Sequence, residues 1–181
     1  MIETNNMTPL SESDLLDLAQ RSYGKIDHIY LHWSAGHYGQ AYEDYHICID
    51  QDGKIYAMCD NLTEVKAHTW HRNTGAIGVA LLCCQGGIAN NGQDADYGEE
   101  PPTGAQVESM AKCIAILCKG LELPINNDTV MTHCEAAFQD GYGPGSGDPE
   151  TRWDLWYLPQ SGNMQGGDFI RGKAIYYAQR E

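Results

Sequence analysis

IYLHWSAG, residues 29–36, opens as a buried strand and then stops being one. In an extended chain Ile29, Leu31 and Trp33 fall on one side and Tyr30 and His32 on the other. Ser34-Ala35-Gly36 then supply small residues for a turn, so a strand carries an imidazole to its own exit. Either His32 is a hydrogen-bonded core histidine, or it is presented at the end of a sheet to hold something.

The flanking sequence predicts the rest of the fold around that strand. YHICIDQDGKIYAMCD (45–60) places two runs around Asp52-Gly53, as a β-hairpin requires. AIGVALLCC (76–84) is apolar without alternation, which suits a central strand covered on both faces. DTVMTH (128–133) reads as a further strand. Helices are predicted over 9–22, with start signals at Thr8-Pro9 and Ser11 and a stop at Gly24, and over 168–180. The best-marked helix spans 104–120. Thr103 and Gln106 have capping-box spacing, and Val107, Met110, Ala111, Ile114, Leu117 and Leu121 recur at helical spacing. HYGQAYED (37–44) predicts a short surface helix. The polar stretch from Gly86 to Pro102 is too long for an ordinary connection and reads as a functional rim or a mobile insertion. With neither repeats nor a linker, the pattern predicts one α/β domain over residues 1–181, its sheet flanked by helices on both faces.

Composition narrows the partners. The chain has 181 residues, 42% of them hydrophobic, enough for one core. Twenty-five acidic against eleven basic residues give a net charge of −14, which argues against nucleic acid. No basic amphipathic stretch suggests a membrane surface, and no apolar run approaches the ~18 residues of a spanning helix. MIETNNMTPLSESD lacks the apolar core of a secretion signal, predicting synthesis in the cytoplasm. The seven cysteines are odd in number, two of them (Cys83, Cys84) are adjacent, and no C-x-x-C pair occurs. They read as reduced, structural thiols.

LHWSAG ends with His32 and VMTHCEAA brings His133 to a second strand exit. Were the two strands neighbours, both imidazoles would meet where open α/β sheets place ligands. Two histidines and one carboxylate, with a position left for water, form a common zinc site. No close-set metal motif exists, so spacing alone leaves the metal and core-histidine readings both open.

LHWSAG, YHICIDQDGKIY, AHTWHRNTGAIGVAL, MTHCEAA and RWDL occur in the order found in type-2 N-acetylmuramoyl-L-alanine amidases, and the chain resembles that family over about residues 26–158. The superfamily includes phage lysozyme-amidases and peptidoglycan recognition proteins. The resemblance implies a central mixed β-sheet flanked by helices, and a Zn2+ ion with His32 and His133 as ligands. Its third ligand follows a basic residue by two positions. Arg152-Trp153-Asp154 fits, making Asp154 the ligand, with Asp148 of Asp148-Pro149 as the alternative. Tyr45 falls where many members keep a tyrosine over the metal, and Arg152 replaces a usual Lys; both are implied catalytic residues. His68 matches a histidine near the cleft, and Trp33 and Glu135 are further substrate-side candidates. His28, His37, His46 and His71 read as surface or core. Some bacterial members carry a general-base Glu where this chain has Ala80, leaving Glu135 as a spare candidate, with a helix start as its equal alternative reading.

The implied reaction is zinc-dependent hydrolysis of the amide between N-acetylmuramic acid and L-alanine in peptidoglycan. A phage or prophage endolysin that reaches the wall after release fits best. A non-catalytic peptidoglycan-binding module and a cytosolic amidase recycling muramoyl-peptides are the alternatives. A cysteine hydrolase built on Cys134 is disfavoured, because neighbouring side chains on a strand diverge from one another. Nucleic acid and membrane insertion are not expected, and a monomer is.

Overall fold

The structure, a computed structural model, describes residues 1–89 and 95–180. In chain order the elements are β1 (Ile2–Glu3), α1 (Glu12–Gln20), β2 (His28–Trp33), β3 (Gln40–Ala41), β4 (Ile47–Ile49), β5 (Ile55–Ala57) and β6 (Ala76–Leu81). They continue with β7 (Ile88–Ala89), β8 (Ala95–Asp96), α2 (Gly104–Leu121), β9 (Val130–Thr132), α3 (His133–Asp140) and α4 (Gly166–Ala178). Five strands form the central sheet in the order β5-β4-β6-β2-β9. β4, β6, β2 and β9 run parallel, and β5 returns antiparallel from β4, so the sheet is mixed.

Local chemistry sets the helix starts. Ser11, Thr103 and Thr132 each cap a helix through a reciprocal box with Asp14, Gln106 and Glu135. The cap at Ser11 starts α1 later than the predicted residue 9. The cap at Thr132 ends β9 and makes His133 the first helical residue, so strand passes into helix with no loop between. At the β4–β5 turn Gly53 has φ +83°, and a Cβ there would come within 2.7 Å of Ser109 Oγ and 3.0 Å of the Ala105 carbonyl oxygen. The hairpin tip therefore lies directly on α2, and only glycine meets both demands.

The two sheet faces differ in character. Ile29, Leu31 and Trp33 of β2, Ile77, Val79 and Leu81 of β6, and Ile47 and Ile49 of β4 join the main core. There they pack with residues of α1, α2 and α4 such as Leu15, Met110, Ile114 and Ile170. Tyr30 and Met131 pack on the opposite face with Ala76 and with Ala136 of α3. β6 is apolar throughout, as expected for a central strand, yet it alternates in size. Its small residues Ala76, Gly78 and Ala80 lie in register with His28, Tyr30 and His32. That row of small residues leaves room above the sheet for imidazoles.

One expectation changes. Residues 37–44 do not form a helix: they turn and contribute β3, which pairs with β1. The Asp50 carboxylate accepts from the Gly39 N–H at 2.8 Å and from the Thr4 hydroxyl at 2.6 Å, tying this segment to β4 rather than to itself. Within 86–102, β7 and β8 pair antiparallel, while residues 90–94 of that expected rim or insertion lie outside the described residues. All seven cysteines are free thiols, six of them buried. Among the described residues no helix is long and apolar enough to cross a membrane.

Candidate metal centre

His32 near the end of β2 and His133 at the start of α3 meet because β2 and β9 are adjacent parallel strands. Their rings stand 4.8 Å apart, edge to face. Asp154 reaches them from the segment before α4. The chain turns sharply behind it, with the buried Leu155 at φ +62°, a backbone strain of the kind that proteins hold at functional sites. Asp154 Oδ2 lies 3.0 Å from His32 Nδ1 and 3.3 Å from His133 Nδ1. All three residues are buried, and their ligand atoms fall within 4.8 Å of one another.

These donors fit zinc. Bonds of ~2.0–2.1 Å at tetrahedral angles put neighbouring ligand atoms about 3.3 Å apart, close to the 3.0 and 3.3 Å between Asp154 and the two imidazoles. The charges also fit. Burial pushes His32 down to about 4, against the Asp154 hydrogen bond, which raises it. Burial also acts to raise the Asp154 carboxyl, but the imidazoles of His133 and His32 outweigh it and hold that group well below the usual carboxylate range. A neutral His32 and an ionised Asp154 at neutral pH are in the protonation states that a divalent cation requires.

His32 has a support behind it. In the arrangement a metal needs, Nδ1 is free and Nε2–H donates to Thr69 Oγ1 at 3.3 Å, whose hydroxyl donates to His68 Nδ1 at 3.0 Å. His68 is buried among histidines, its ring 5.3 Å from His32 and 5.6 Å from His46. It packs straight onto β6: a Cβ on Gly78 would come within 2.7 Å of its ring. His46, expected at the surface or in the core, is a core residue that donates to the Glu64 carbonyl and accepts from the Gly78 N–H. Thr69→Val removes the hydroxyl while keeping the shape. Zinc affinity is expected to fall ~10–100-fold, measured by competition with a chromophoric chelator; unchanged affinity would show that the hydroxyl does not orient His32.

Burial first, then the neighbouring imidazoles of His32, His46 and His133, push His68 down to about 2. An unfolded histidine titrates near ~6.5. Below that value the unfolded chain takes up protons that folded His68 and His32 refuse, so acid favours unfolding. The metal-free protein is expected to lose roughly 1.4 kcal/mol per pH unit for each of the two imidazoles between about pH 6 and 4.5. Thermal melts across that window test this, and a flat midpoint would contradict it.

A cavity of about 600 Å³ opens beside the trio, lined by His68, Thr69, Trp70 and Asn73 and, from later in the chain, by His133, Asp140, Tyr142, Asp148, Glu150 and Arg152. Arg152 thus reaches the cavity, although its guanidinium bonds the Glu150 carboxylate and backbone. Tyr45 packs its ring 5.1 Å from His32. Asp148 lies on the cavity wall outside the trio, its carboxylate accepting from the Glu150 N–H at 2.8 Å. Trp33 and Glu135 are placed elsewhere, correcting the expectation that they lie on the substrate side. Trp33 is 5% exposed, in the main core against Trp153 and Tyr97. Glu135 caps α3 and receives both guanidinium nitrogens of Arg171 at 2.8 Å. Burial pushes the Cys134 thiol up, away from the thiolate a nucleophile needs. Thr69, Trp70 and Tyr142 had no role in the sequence reading, although AHTWHRN holds the first two.

A family profile described as N-acetylmuramoyl-L-alanine amidase matches residues 22–149. No curated protein matches the chain. Among solved structures, N-acetylmuramoyl-L-alanine amidase LysC from Clostridium intestinale URNW is similar at 19% identity, with 70% of this chain and 76% of that one covered and a TM-score of 0.42. Ph2119 endolysin from Thermus scotoductus MAT2119 bacteriophage Ph2119 is similar at 15% identity, with 83% and 85% covered and a TM-score of 0.49. Drosophila peptidoglycan recognition protein SD is similar at 13%, with 61% and 71% covered and a TM-score of 0.44.

Proposed function

We propose that this chain, which belongs to the N-acetylmuramoyl-L-alanine amidase family, hydrolyses the amide between N-acetylmuramic acid and L-alanine, with zinc held by His32, His133 and Asp154. The observation that carries this is the buried trio, whose His133 lines the adjacent cavity. An amide carbonyl is a poor electrophile and neutral water a poor nucleophile; zinc, when bound, lowers the pKa of water and polarises the carbonyl. The chain's own residues do the rest. Tyr45 is raised above the usual phenol range by burial first and by the Asp154 charge second, so its hydroxyl stays protonated and able to donate to a developing oxyanion. Arg152, always charged, stabilises negative charge without serving as an acid. Ala80 supplies no carboxylate, and Glu135 is committed to Arg171, so neither acts as general base.

Mass spectrometry of digested cell wall tests the reading. The expected products are stem peptides with a free L-alanine amino group and glycan strands that keep the lactyl carboxylate. Cut glycosidic bonds or cross-bridges, or binding to sacculi without release, would overturn it. Intact sacculi and soluble muramoyl-peptides assayed side by side separate a wall-lytic enzyme from a recycling one. Tyr45→Phe is expected to lower kcat ~100-fold, the usual scale for one oxyanion donor, with little change in KM; full turnover would remove Tyr45 from the reaction.

A further inference from the structure

Trp70 is 62% exposed, yet it belongs to a turn held by several hydrogen bonds. His71 beside it has φ +57°, a left-handed backbone that few non-glycine residues adopt. The Arg72 N–H closes the turn onto the Thr69 carbonyl at 3.0 Å, and the Asn73 side chain accepts from both the His68 and Thr69 N–H groups. The Arg72 guanidinium then clamps Asp140 of α3 with two bonds of 2.7 Å. An apolar ring held out by a strained, clamped turn has lost its freedom before any ligand arrives, so contact with it costs little ordering. The indole edge meets Tyr142 with ring centres 5.6 Å apart and planes at 89°. Tyr142 lines the same cavity, and its hydroxyl is buried with no hydrogen-bond partner among the described residues.

We propose that Trp70 and Tyr142 form a sugar subsite that holds a pyranose ring of the glycan next to the metal centre; this rests on the amidase reading for its substrate. A pyranose offers a face of C–H groups to an aromatic plane and hydroxyls at its edge for an unmatched phenol. A stem peptide suits this place less well. It carries carboxylates, whereas Asp140, Asp148 and Glu150 already make the cavity wall acidic, and Arg72 and Arg152 are bonded to Asp140 and Glu150. Repulsion turns the anionic peptide away from this end and leaves the indole to the neutral ring.

The test uses the disaccharide N-acetylglucosaminyl-N-acetylmuramic acid, without peptide and with its lactyl carboxylate capped as the methylamide so that it is neutral, and the indole N–H resonances of the full chain. Titration is expected to move the Trp70 resonance, with binding weakened at least 10-fold by Trp70→Ala and weakened also by the isosteric Tyr142→Phe. In turnover, the preference for a muramoyl-peptide over the matching N-lactoyl-peptide, which lacks the ring, is expected to fall about 10-fold in Trp70→Ala through KM. An unmoved resonance, or equal losses on both substrates, overturns the subsite while leaving the amidase intact. Disaccharide binding that depends on Trp70, in a protein that cuts neither substrate, sustains the subsite and removes the reaction instead.

Discussion

Asp154→Ala is expected to bind zinc at least ~100-fold more weakly than the wild type and to lose activity by ~1000-fold or more. Asp154 is the one anion of the trio, 3.0 Å from His32 and 3.3 Å from His133. Without it two imidazoles face a divalent cation with no charge to balance it in a buried place. Several kcal/mol of charge stabilisation is at stake in such a centre, and each 1.4 kcal/mol is tenfold in rate. Asp148 offers no replacement where it stands, because it turns the 146–151 loop: it accepts from the Glu150 N–H, and its own N–H donates to Ser146. Isothermal titration with zinc and release of stem peptides from cell wall, run on Asp154→Ala and Asp148→Ala, decide between the two aspartates. Activity kept by the first and lost by the second would transfer the ligand role to Asp148.

The strands and the two histidines were legible because each depends on a short run. LHWSAG and MTHCEAA state where a strand ends and which side chain it presents, and the Thr103 and Gln106 spacing alone marks α2. Asp154 came only from resemblance, since its place depends on a turn at Leu155 that no residue type announces. The short helix expected over 37–44 failed because Asp50, a distant partner, holds Gly39 by a hydrogen bond that local propensity cannot register. Trp33 is the instructive error. The period-2 pattern already put it on the Ile29 and Leu31 side, opposite His32, and the structure keeps that pattern. Thr132 and Glu135 likewise have the spacing of a capping box, a sign that Glu135 is occupied at a helix start. Trp70 and Tyr142 were invisible for the opposite reason: they come together across the Arg72 clamp between the 69–72 turn and the end of α3.

Arg171→Met is expected to cost about 3 kcal/mol of stability, the low end for breaking a buried ion pair, because its partners are partly open to solvent. For a chain of this length that is a fall in melting temperature of roughly 10 °C. The Arg171 guanidinium donates to the Val130 carbonyl, to both oxygens of Glu135 and to Asp168, joining α4 to the start of β9 and the start of α3. Glu135 in turn accepts from the Thr132 N–H at 2.8 Å, one residue before His133. Removing the cation leaves that carboxylate half in the protein, supported only by the helix N-terminus. Glu135→Gln removes the charge and keeps the shape, so Arg171→Met made on top of it should cost 1–3 kcal/mol less than in the wild type. The same variant separates a structural Glu135 from a catalytic one. A structural Glu135 predicts a lower melting temperature with kcat largely kept. A general base predicts the reverse, with kcat collapsing in a protein that melts like the wild type, and the bidentate grip of Arg171 on both carboxylate oxygens argues for the first.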